Sequence, residues 1–230
     1  MKIIDLTLAH ADETDVFAVG VMERKGWKTQ VTRRYFMPEK EPDVVFVDSW
    51  LSMFAHCGTH IDAPRHISRS GITIDEVALD RFIGEACVLD LSHKKSNEAI
   101  TAQDLAAHGA AVRPGDIALL RTGWSDQKWG CTDYMYASPF LSGDGANWLV
   151  DRRVKAVGFD FVQEEDVKRI PDNKPENYVV HRTLLGNGII QVEHMTNLGQ
   201  IPTPRCQFIA FPLKLVGVEG SPCRAVAMVS

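Results

Sequence analysis

Short apolar runs recur along the whole chain, and their spacing predicts a protein rich in strands. Each run is only a few residues long and is dominated by Val, Ile, Leu or Phe, which is typical of buried strands. A turn at residues 113–116 leads directly into one of them, the run at residues 117–120. The predicted strands cover residues 2–7, 44–52, 86–91, 116–121, 154–159, 188–193, 206–212 and 223–229.

Helix signals stand between some of these strands. Thr101 is predicted as the N-cap of a helix with Asp104 in its first turn, and this helix is predicted to end near Gly109. Two further helices are predicted at residues 142–152 and near residues 175–185, and residues 71–82 are predicted to hold a shorter one.

The balance of these elements predicts the fold class. Strands outnumber helices, and several strands follow one another without a helix between them, which argues against a regularly alternating doubly wound fold. We therefore predict an α/β protein whose mixed, barrel-like sheet is flanked by helices. No internal repeat or linker is visible, so residues 1–230 are predicted to form a single domain. Residues 20–43 are polar and fit either a long loop or an arm that packs on a partner or over the site.

Composition narrows the possible functions. The 230 residues are 45% hydrophobic and 24% charged, as in a globular protein with a buried core. A net charge of −5 and the lack of a basic stripe argue against nucleic-acid binding. Five scattered cysteines without a CxxC pair indicate reduced thiols in a cytoplasmic protein. The first residues do not resemble a signal peptide, and no apolar run approaches the roughly 18 residues of a membrane span.

The candidate chemistry is concentrated in residues 56–66. This segment holds three of the eight histidines, His56, His60 and His66, together with Asp62. Imidazole and carboxylate ligands together suit zinc, manganese or iron. In a fully extended strand the segment would span roughly 33 Å, which is too long for one metal site. A glycine and a proline within it oppose a helix, so the chain is predicted to bend.

The predicted bend explains how the ligands could converge. His60 and Asp62 are two residues apart and can share a metal from a short extended piece. Gly58 allows a turn that folds His56 back beside them. A proline two residues after the aspartate then redirects the chain, so that the last histidine approaches from the side.

A metal site needs ligands from a second segment, and three downstream residues are candidates. Glu193 ends an apolar predicted strand, and His194 follows it directly. His181 precedes an apolar helical stretch. Each residue alone has an ordinary structural interpretation, as a surface or core side chain.

The segment His56-Cys57-Gly58-Thr59-His60-Ile61-Asp62-Ala63-Pro64-Arg65-His66 resembles the HxGTHxDxPxH signature of the metal-dependent cyclase-like hydrolases. That family includes kynurenine formamidase (arylformamidase) and isatin hydrolase. The resemblance covers most of the chain, and the motif is its specific part. The flanking matches are residues 5–7, 154–160, 181–193, 213–217 and 220–225.

The resemblance implies a site, a cofactor and an assembly. It implies one or two divalent ions per chain, Zn²⁺ or Mn²⁺, with Asp62 and Glu193 able to bridge two ions. His66 would be a proton-transfer residue or an additional ligand. The family fold is a swivelling β/α domain, usually assembled as a homodimer or larger homo-oligomer. The implied metal ligands are His56, His60, Asp62, His181 and Glu193.

These residue types suit carbonyl hydrolysis, and the resemblance implies that the bond cleaved is an amide C–N bond other than a peptide bond. A bound divalent ion makes water acidic enough to supply hydroxide near neutral pH and polarises a carbonyl. His66 is the residue type that can give a proton to a leaving amine at that pH. The expected substrate is a small-molecule amide, either an aryl formamide or a cyclic amide. The chain has no G-x-S-x-G motif, so a serine hydrolase has little support.

Two other functions stay open at the level of sequence. His60, Asp62 and His181 formally make the two-histidine, one-carboxylate set of a non-haem Fe(II) oxygenase, although the additional ligands argue against it. A closed set of ligands would instead indicate a non-catalytic metal-binding protein. The chain departs from the family pattern at residues 161–166 and at Ile67, where substrate contacts are expected, so the exact substrate is not defined.

Overall fold

The structure, a computed structural model, describes residues 1–9, 30–36, 45–165 and 175–229. Within these ranges the helices are α1 (Ala102–His108), α2 (Trp124–Lys128), α3 (Asp133–Tyr136), α4 (Gly143–Asp151) and α5 (Val179–Gly186). The strands are β1 (Lys2–Asp5), β2 (Gln30–Phe36), β3 (Phe46–Ser52), β4 (His60–Asp62), β5 (Ile83–Asp90), β6 (Ala99–Ile100), β7 (Ile117–Arg121), β8 (Phe140–Leu141), β9 (Ala156–Phe159), β10 (Ile190–Glu193), β11 (Arg205–Pro212) and β12 (Gly220–Val229).

The main sheet closes on itself through strand β12. Its order is β1-β12-β11-β5-β7-β9-β10-β4, and β4 also pairs with β12. The first residues of β12 lie beside β4, where Gly220 is opposite Asp62, and the later residues lie beside β1, where Val226 is opposite Asp5. Strands β5, β7, β9 and β10 run parallel to one another, and the other pairs are antiparallel. The predicted α/β fold with a mixed, barrel-like sheet is confirmed.

The parallel strands contribute to two cores, because alternate side chains of a strand point to opposite faces. Leu119 of β7 packs in one core with Ile61 of β4 and Phe208 of β11. Its neighbour Leu120 packs on the other face, against the helices, in the core that contains Leu149 of α4. Burial on both faces explains why these strands are continuous apolar runs rather than alternating patterns.

Most of the predicted helices are confirmed. The backbone N–H of Thr101 donates to Asp104 Oδ2 at 2.7 Å, and Thr101 Oγ1 accepts from the Asp104 backbone at 3.3 Å, so α1 begins with a capping box. Helix α4 begins after Ser142, and α5 forms within the predicted range 175–185, extended by one residue. Among the described residues, no helix is long and apolar enough to cross a membrane.

The prediction of a short helix within residues 71–82 is wrong. The segment contains only the short 3-10 turn Leu79–Arg81. The carbonyl of Ile72, which a helix would pair with the N–H of Glu76, accepts from the Arg65 N–H at 3.0 Å, and the Glu76 N–H donates to Thr73 at 3.0 Å instead. These bonds take the place of the helical hydrogen-bond ladder.

The strand predicted at residues 44–52 forms as β3 and pairs antiparallel with β2. Strand β2 belongs to residues 20–43, which the sequence leaves unassigned; residues 20–29 and 37–43 lie outside the described residues. The hairpin exposes large apolar side chains. Those that are more than half exposed are Tyr35, Phe46, Trp50 and Leu51.

Candidate metal centre

Strand pairing brings the two predicted halves of the site together. His60 on β4 is opposite Glu193 on β10 and opposite Pro222 on β12. Asp62 lies two residues further along β4, so its side chain points to the same face as that of His60. Strand β10 ends at Glu193, and the carboxyl ends of parallel strands are where α/β sheets usually carry their functional groups.

Gly58 turns the chain so that His56 lies beside Asp62. Its φ of 53° is in the left-handed region that glycine adopts without steric cost. His56 Nδ1 lies 2.7 Å from Asp62 Oδ1, and His56 Nε2 lies 3.1 Å from Glu219 Oε1. A Cβ atom at Gly220 would lie 2.9 Å from His56 Cε1, so the glycine makes room for the imidazole ring.

His66 reaches the same cluster from a 3-10 turn that begins at Pro64. Its Nε2 lies 4.0 Å from Asp62 Oδ2, and its ring centroid lies 4.2 Å from that of His56. The His66 side chain is 30% exposed, whereas that of Asp62 is 1% exposed. His66 therefore lies at the open edge of a buried cluster.

Helix α5 contributes His181, which contacts both carboxylates. His181 Nε2 lies 3.0 Å from Glu193 Oε1 and 3.4 Å from Asp62 Oδ2. His60 Nε2 lies 3.3 Å from Asp62 Oδ1 and 3.7 Å from Glu193 Oε2. His194, the seventh candidate from the sequence, lies beside the cluster, with Nε2 3.9 Å from Glu193 Oε2. The cluster itself brings together the other six, namely His56, His60, Asp62, His66, His181 and Glu193.

Outer hydrogen bonds fix the protonation pattern of two imidazoles. His60 Nδ1 lies 2.8 Å from the carbonyl oxygen of Gly58, which can only accept, so Nδ1 carries the proton. His181 Nδ1 lies 2.9 Å from Glu164 Oε1, which also accepts from the His181 backbone N–H at 2.8 Å. In their neutral forms both rings therefore turn an Nε2 lone pair toward the carboxylates. This is the arrangement in which histidine binds metals.

The donor set fits a divalent cation. Asp62 Oδ2 is buried and has no hydrogen-bond partner among the described residues, an arrangement that costs free energy unless a cation or a donor satisfies it. Imidazole nitrogens and carboxylate oxygens are ligands that zinc and manganese accept. Three groups have ligand atoms within 4.8 Å of one another: His56, Asp62 and His66; His60, Glu193 and His194; and Asp62, His181 and Glu193.

The buried carboxylates draw positive charge to the cluster. Burial acts against the charged form of His56, but the charge of Asp62 and the hydrogen bonds of the ring raise the pKa of His56 to about 10. Burial likewise acts against a charged His181, yet Glu193 and Asp62 raise the pKa of His181 well above its usual value. For His66 burial prevails and lowers the pKa to about 4, despite the nearby Asp62.

Sequence reasoning missed several polar side chains at the site. Glu164 could have been found, because it is a carboxylate that closely follows the end of the parallel strand β9. Glu219 and Tyr134 carry no such signal, since their histidine partners are 163 and 60 residues away in sequence. Gln163, in the segment that departs from the family pattern, is buried and donates through Nε2 to Glu193.

Asp160, the aspartate of the matched segment 154–160, has a structural position. It accepts hydrogen bonds from the Thr122 backbone at 2.8 Å, the Thr122 hydroxyl at 2.6 Å and the Gly123 backbone at 2.7 Å. Burial raises the pKa of Asp160 to about 6, and the three donors oppose that rise. The carboxylate fixes the turn between β7 and α2.

The chain is thus an α/β protein with a closed mixed sheet. At the strand ends of this sheet it carries a buried imidazole–carboxylate cluster that is suited to bind a metal ion. The family model for Cyclase, described as Putative cyclase, matches residues 4–166, and the chain belongs to this family. A kynurenine formamidase from Salinibacter ruber is 31% identical over 186 residues, which cover 76% of this chain and 77% of that protein.

Two solved structures share the fold over nearly the whole chain. One is described as a potential metal-dependent hydrolase with cyclase activity; it is 27% identical, with a TM-score of 0.72 over 98% of this chain and 96% of its own. The other is isatin hydrolase A from Ralstonia solanacearum, with a TM-score of 0.80 over 100% of this chain and 92% of its own. Because the two sequences are only 23% identical, this similarity is evidence for the fold alone.

Proposed function

We propose that this protein is a metal-dependent hydrolase that cleaves the C–N bond of a small-molecule amide other than a peptide. The observation that carries the proposal is the buried carboxylate of Asp62, which has one oxygen without a hydrogen-bond donor among the described residues and lies between the imidazoles of several histidines. The name of the relative kynurenine formamidase makes an aryl formamide the first substrate to test. A cyclic amide, the other substrate expected from the sequence motif, is the second.

In this proposal the ions are Zn²⁺ or Mn²⁺, one or two per chain. His56, His60 and Asp62 would hold one ion, and Asp62, His181 and Glu193 would hold a second. The negative charge of the two carboxylates would offset the repulsion between two cations. When bound, the metal supplies Lewis acidity that polarises a carbonyl group and acidifies water.

The chain's own residues supply the proton transfer. His66 lies at the exposed edge of the cluster with Nε2 4.0 Å from Asp62 Oδ2, so it can meet a substrate while keeping contact with the buried carboxylate. We assign His66 the shuttling of a proton: its neutral imidazole, which the lowered pKa favours, takes a proton from the attacking water and passes it to the leaving amine. The other five side chains are at most 8% exposed, so little solvent screens the electrostatic contacts between them.

We further propose a homodimer or larger homo-oligomer in the cytoplasm. The β2–β3 hairpin exposes Tyr35, Phe46, Trp50 and Leu51, and exposed apolar clusters of this kind commonly mark protein interfaces. All five cysteines are free, which suits a reducing compartment.

The alternative functions fit the geometry less well. The oxygenase set of His60, Asp62 and His181 does converge, because both imidazole Nε2 atoms lie within 3.4 Å of the Asp62 carboxylate. However, His56 and Glu193 contact the same groups and would fill positions that oxygen and a co-substrate need. A purely structural site would need no accessible histidine at its edge, whereas His66 is partly exposed.

Metal removal tests the proposed function. We expect protein purified without added metal to contain zinc or manganese, and to hydrolyse N-formylkynurenine or isatin. Dialysis against a chelator should abolish the hydrolysis, and addition of one of the two ions should restore it, because the cluster depends on a cation to satisfy Asp62. Elemental analysis measures the metal content, and an absorbance assay measures the hydrolysis. Full activity in protein shown to be free of metal would overturn the proposal.

Replacing Glu164 should weaken metal binding although Glu164 is not itself a proposed ligand. The Glu164→Ala change removes the acceptor for His181 Nδ1 and for the His181 backbone. We expect about 10- to 100-fold weaker metal affinity, the usual effect of losing such a partner. Glu164→Gln keeps an acceptor oxygen and should lose less. Competition with a chromophoric chelator measures the affinity, and Glu176→Ala, at an exposed carboxylate, is the control. Equal affinities in all three variants would contradict this expectation.

A further inference from the structure

His194 lies beside the metal centre but has no part in the proposed ligand set. It follows Glu193 and has a φ of 53°, in the left-handed region. Its ring centroid lies 5.5 Å from that of His60, 5.6 Å from that of Tyr134 and 6.0 Å from that of Trp129. The backbone and the surrounding rings therefore fix the direction in which this imidazole points.

The hydrogen bond between His194 and Tyr134 determines which ring nitrogen carries the proton. Tyr134 is fully buried, and among the described residues the one partner of its hydroxyl is His194 Nδ1, at 2.7 Å. A buried hydroxyl proton without an acceptor is costly, so the phenol donates to Nδ1. The neutral imidazole then carries its own proton on Nε2.

This Nε2–H group is directed at the metal centre, and it has no acceptor within hydrogen-bonding distance in the part of the chain that the structure describes. The carboxylate oxygen paired with it, Glu193 Oε2, is 3.9 Å away, which is beyond hydrogen-bonding distance. The His194 side chain is 12% exposed, so a ligand at the cluster can reach it. In their neutral forms His60 and His181 have the opposite tautomer, with Nε2 lone pairs facing the carboxylates. His194 thus differs from the proposed ligands in what it offers: a donor.

We propose that His194 donates a hydrogen bond from Nε2 to the carbonyl oxygen of the bound amide, and that Tyr134 is the positioning residue that holds this tautomer. The inference rests on the proposed function, since it requires an amide at the centre. A carbonyl oxygen gains negative charge as a nucleophile adds to its carbon. A donor fixed in advance stabilises that charge more than it stabilises the ground state.

The tautomer can be measured without any turnover. Long-range ¹H–¹⁵N NMR of the zinc-loaded protein should show the His194 ring protonated at Nε2, and His194→Asn identifies the resonance. In Tyr134→Phe the Nδ1 nitrogen loses its donor, so its chemical shift should move toward that of an unbonded nitrogen. A wild-type ring protonated at Nδ1, or zinc bonded to Nε2, would overturn the proposal.

Kinetics test the role of the donor. His194→Asn preserves the left-handed backbone, which Asn tolerates, and should lower kcat about 10²- to 10³-fold, with KM and zinc affinity changed less than about threefold. Tyr134→Phe should lower kcat less than His194→Asn does. The control variant His108→Gln, at an exposed histidine, should have the kcat of the wild type. Unchanged kcat in His194→Asn, or tenfold weaker zinc binding, would refute the assignment. Failure of the proposed function would be seen separately, as zinc-loaded wild-type protein that cleaves no amide while its His194 tautomer is as expected.

Discussion

Replacing Asp62 with Asn is expected to abolish metal binding and amide hydrolysis together. The Asp62 carboxylate lies within 4.0 Å of four imidazoles: His56 Nδ1 at 2.7 Å, His60 Nε2 at 3.3 Å, His181 Nε2 at 3.4 Å and His66 Nε2 at 4.0 Å. An amide keeps the shape of the side chain but removes its charge and directs an N–H group toward the cluster. A cation would then meet a donor where it needs a ligand.

We expect the metal content of Asp62→Asn to fall below about one tenth of the wild-type value and hydrolysis to fall at least about 10³-fold, because a catalytic ion and its charge stabilisation are lost together. Elemental analysis and initial rates measure the two effects in one preparation. Asp151→Asn, at an exposed helix end, is the matched control and should retain both properties. An Asp62→Asn protein with normal metal content would show that the ion lies elsewhere.

Adding a methyl group at Gly71, which is not part of the metal centre, is expected to displace the turn that carries His66 and so to lower activity. A Cβ atom there would lie 2.4 Å from the backbone carbon and oxygen of Pro64 and 2.7 Å from the backbone nitrogen of Arg65. Backbone atoms cannot move aside as a flexible side chain can. Because Pro64 begins the turn that carries His66, the displaced turn takes the proposed proton donor with it.

For Gly71→Ala we expect the free energy of unfolding to fall by about 1–3 kcal/mol, as for other overpacked sites, and kcat to fall about 10²-fold, as for a catalytic group displaced by about 1 Å. Zinc affinity should change less than kcat, since the proposed ligands lie on other turns and strands. Gly186→Ala is the control, because a Cβ at position 186 meets nothing within 4 Å. Urea unfolding measures the free energy of unfolding, and steady-state kinetics measures kcat. Equal values for Gly71→Ala and Gly186→Ala would mean that the turn at Pro64 accommodates the methyl group without cost.

The sequence predicted the local parts of the site and the chemistry that they allow. The bend at Gly58 could be foreseen, because only a turn there brings His56 back to Asp62. The capping box at Thr101 could be foreseen for the same reason, as both of its partners lie within one turn. The convergence of residues 56–66 with Glu193 was predicted from the need for further ligands, and the pairing of β4 with β10 supplies the physical cause.

Other contacts between distant segments could not be predicted from one sequence. The short helix expected within residues 71–82 does not form, because the carbonyl of Ile72 accepts from Arg65 and the N–H of Ile74 donates to Val218. In the same way, nothing near Tyr134 in the sequence indicates that its hydroxyl meets His194. In each case the tertiary partner outweighs the local preference.

The shared strand β12 also has a consequence for the order of events during biosynthesis. It follows every other described strand in the chain and lies against β1, β4 and β11. Until it emerges from the ribosome, those three strands have unpaired edges, which are prone to intermolecular association. The nascent chain also lacks Glu219, whose carboxylate oxygen Oε1 lies 3.1 Å from His56 Nε2. Metal binding should therefore follow the translation of β12. Until then the unpaired edges of β1, β4 and β11 need protection from other chains.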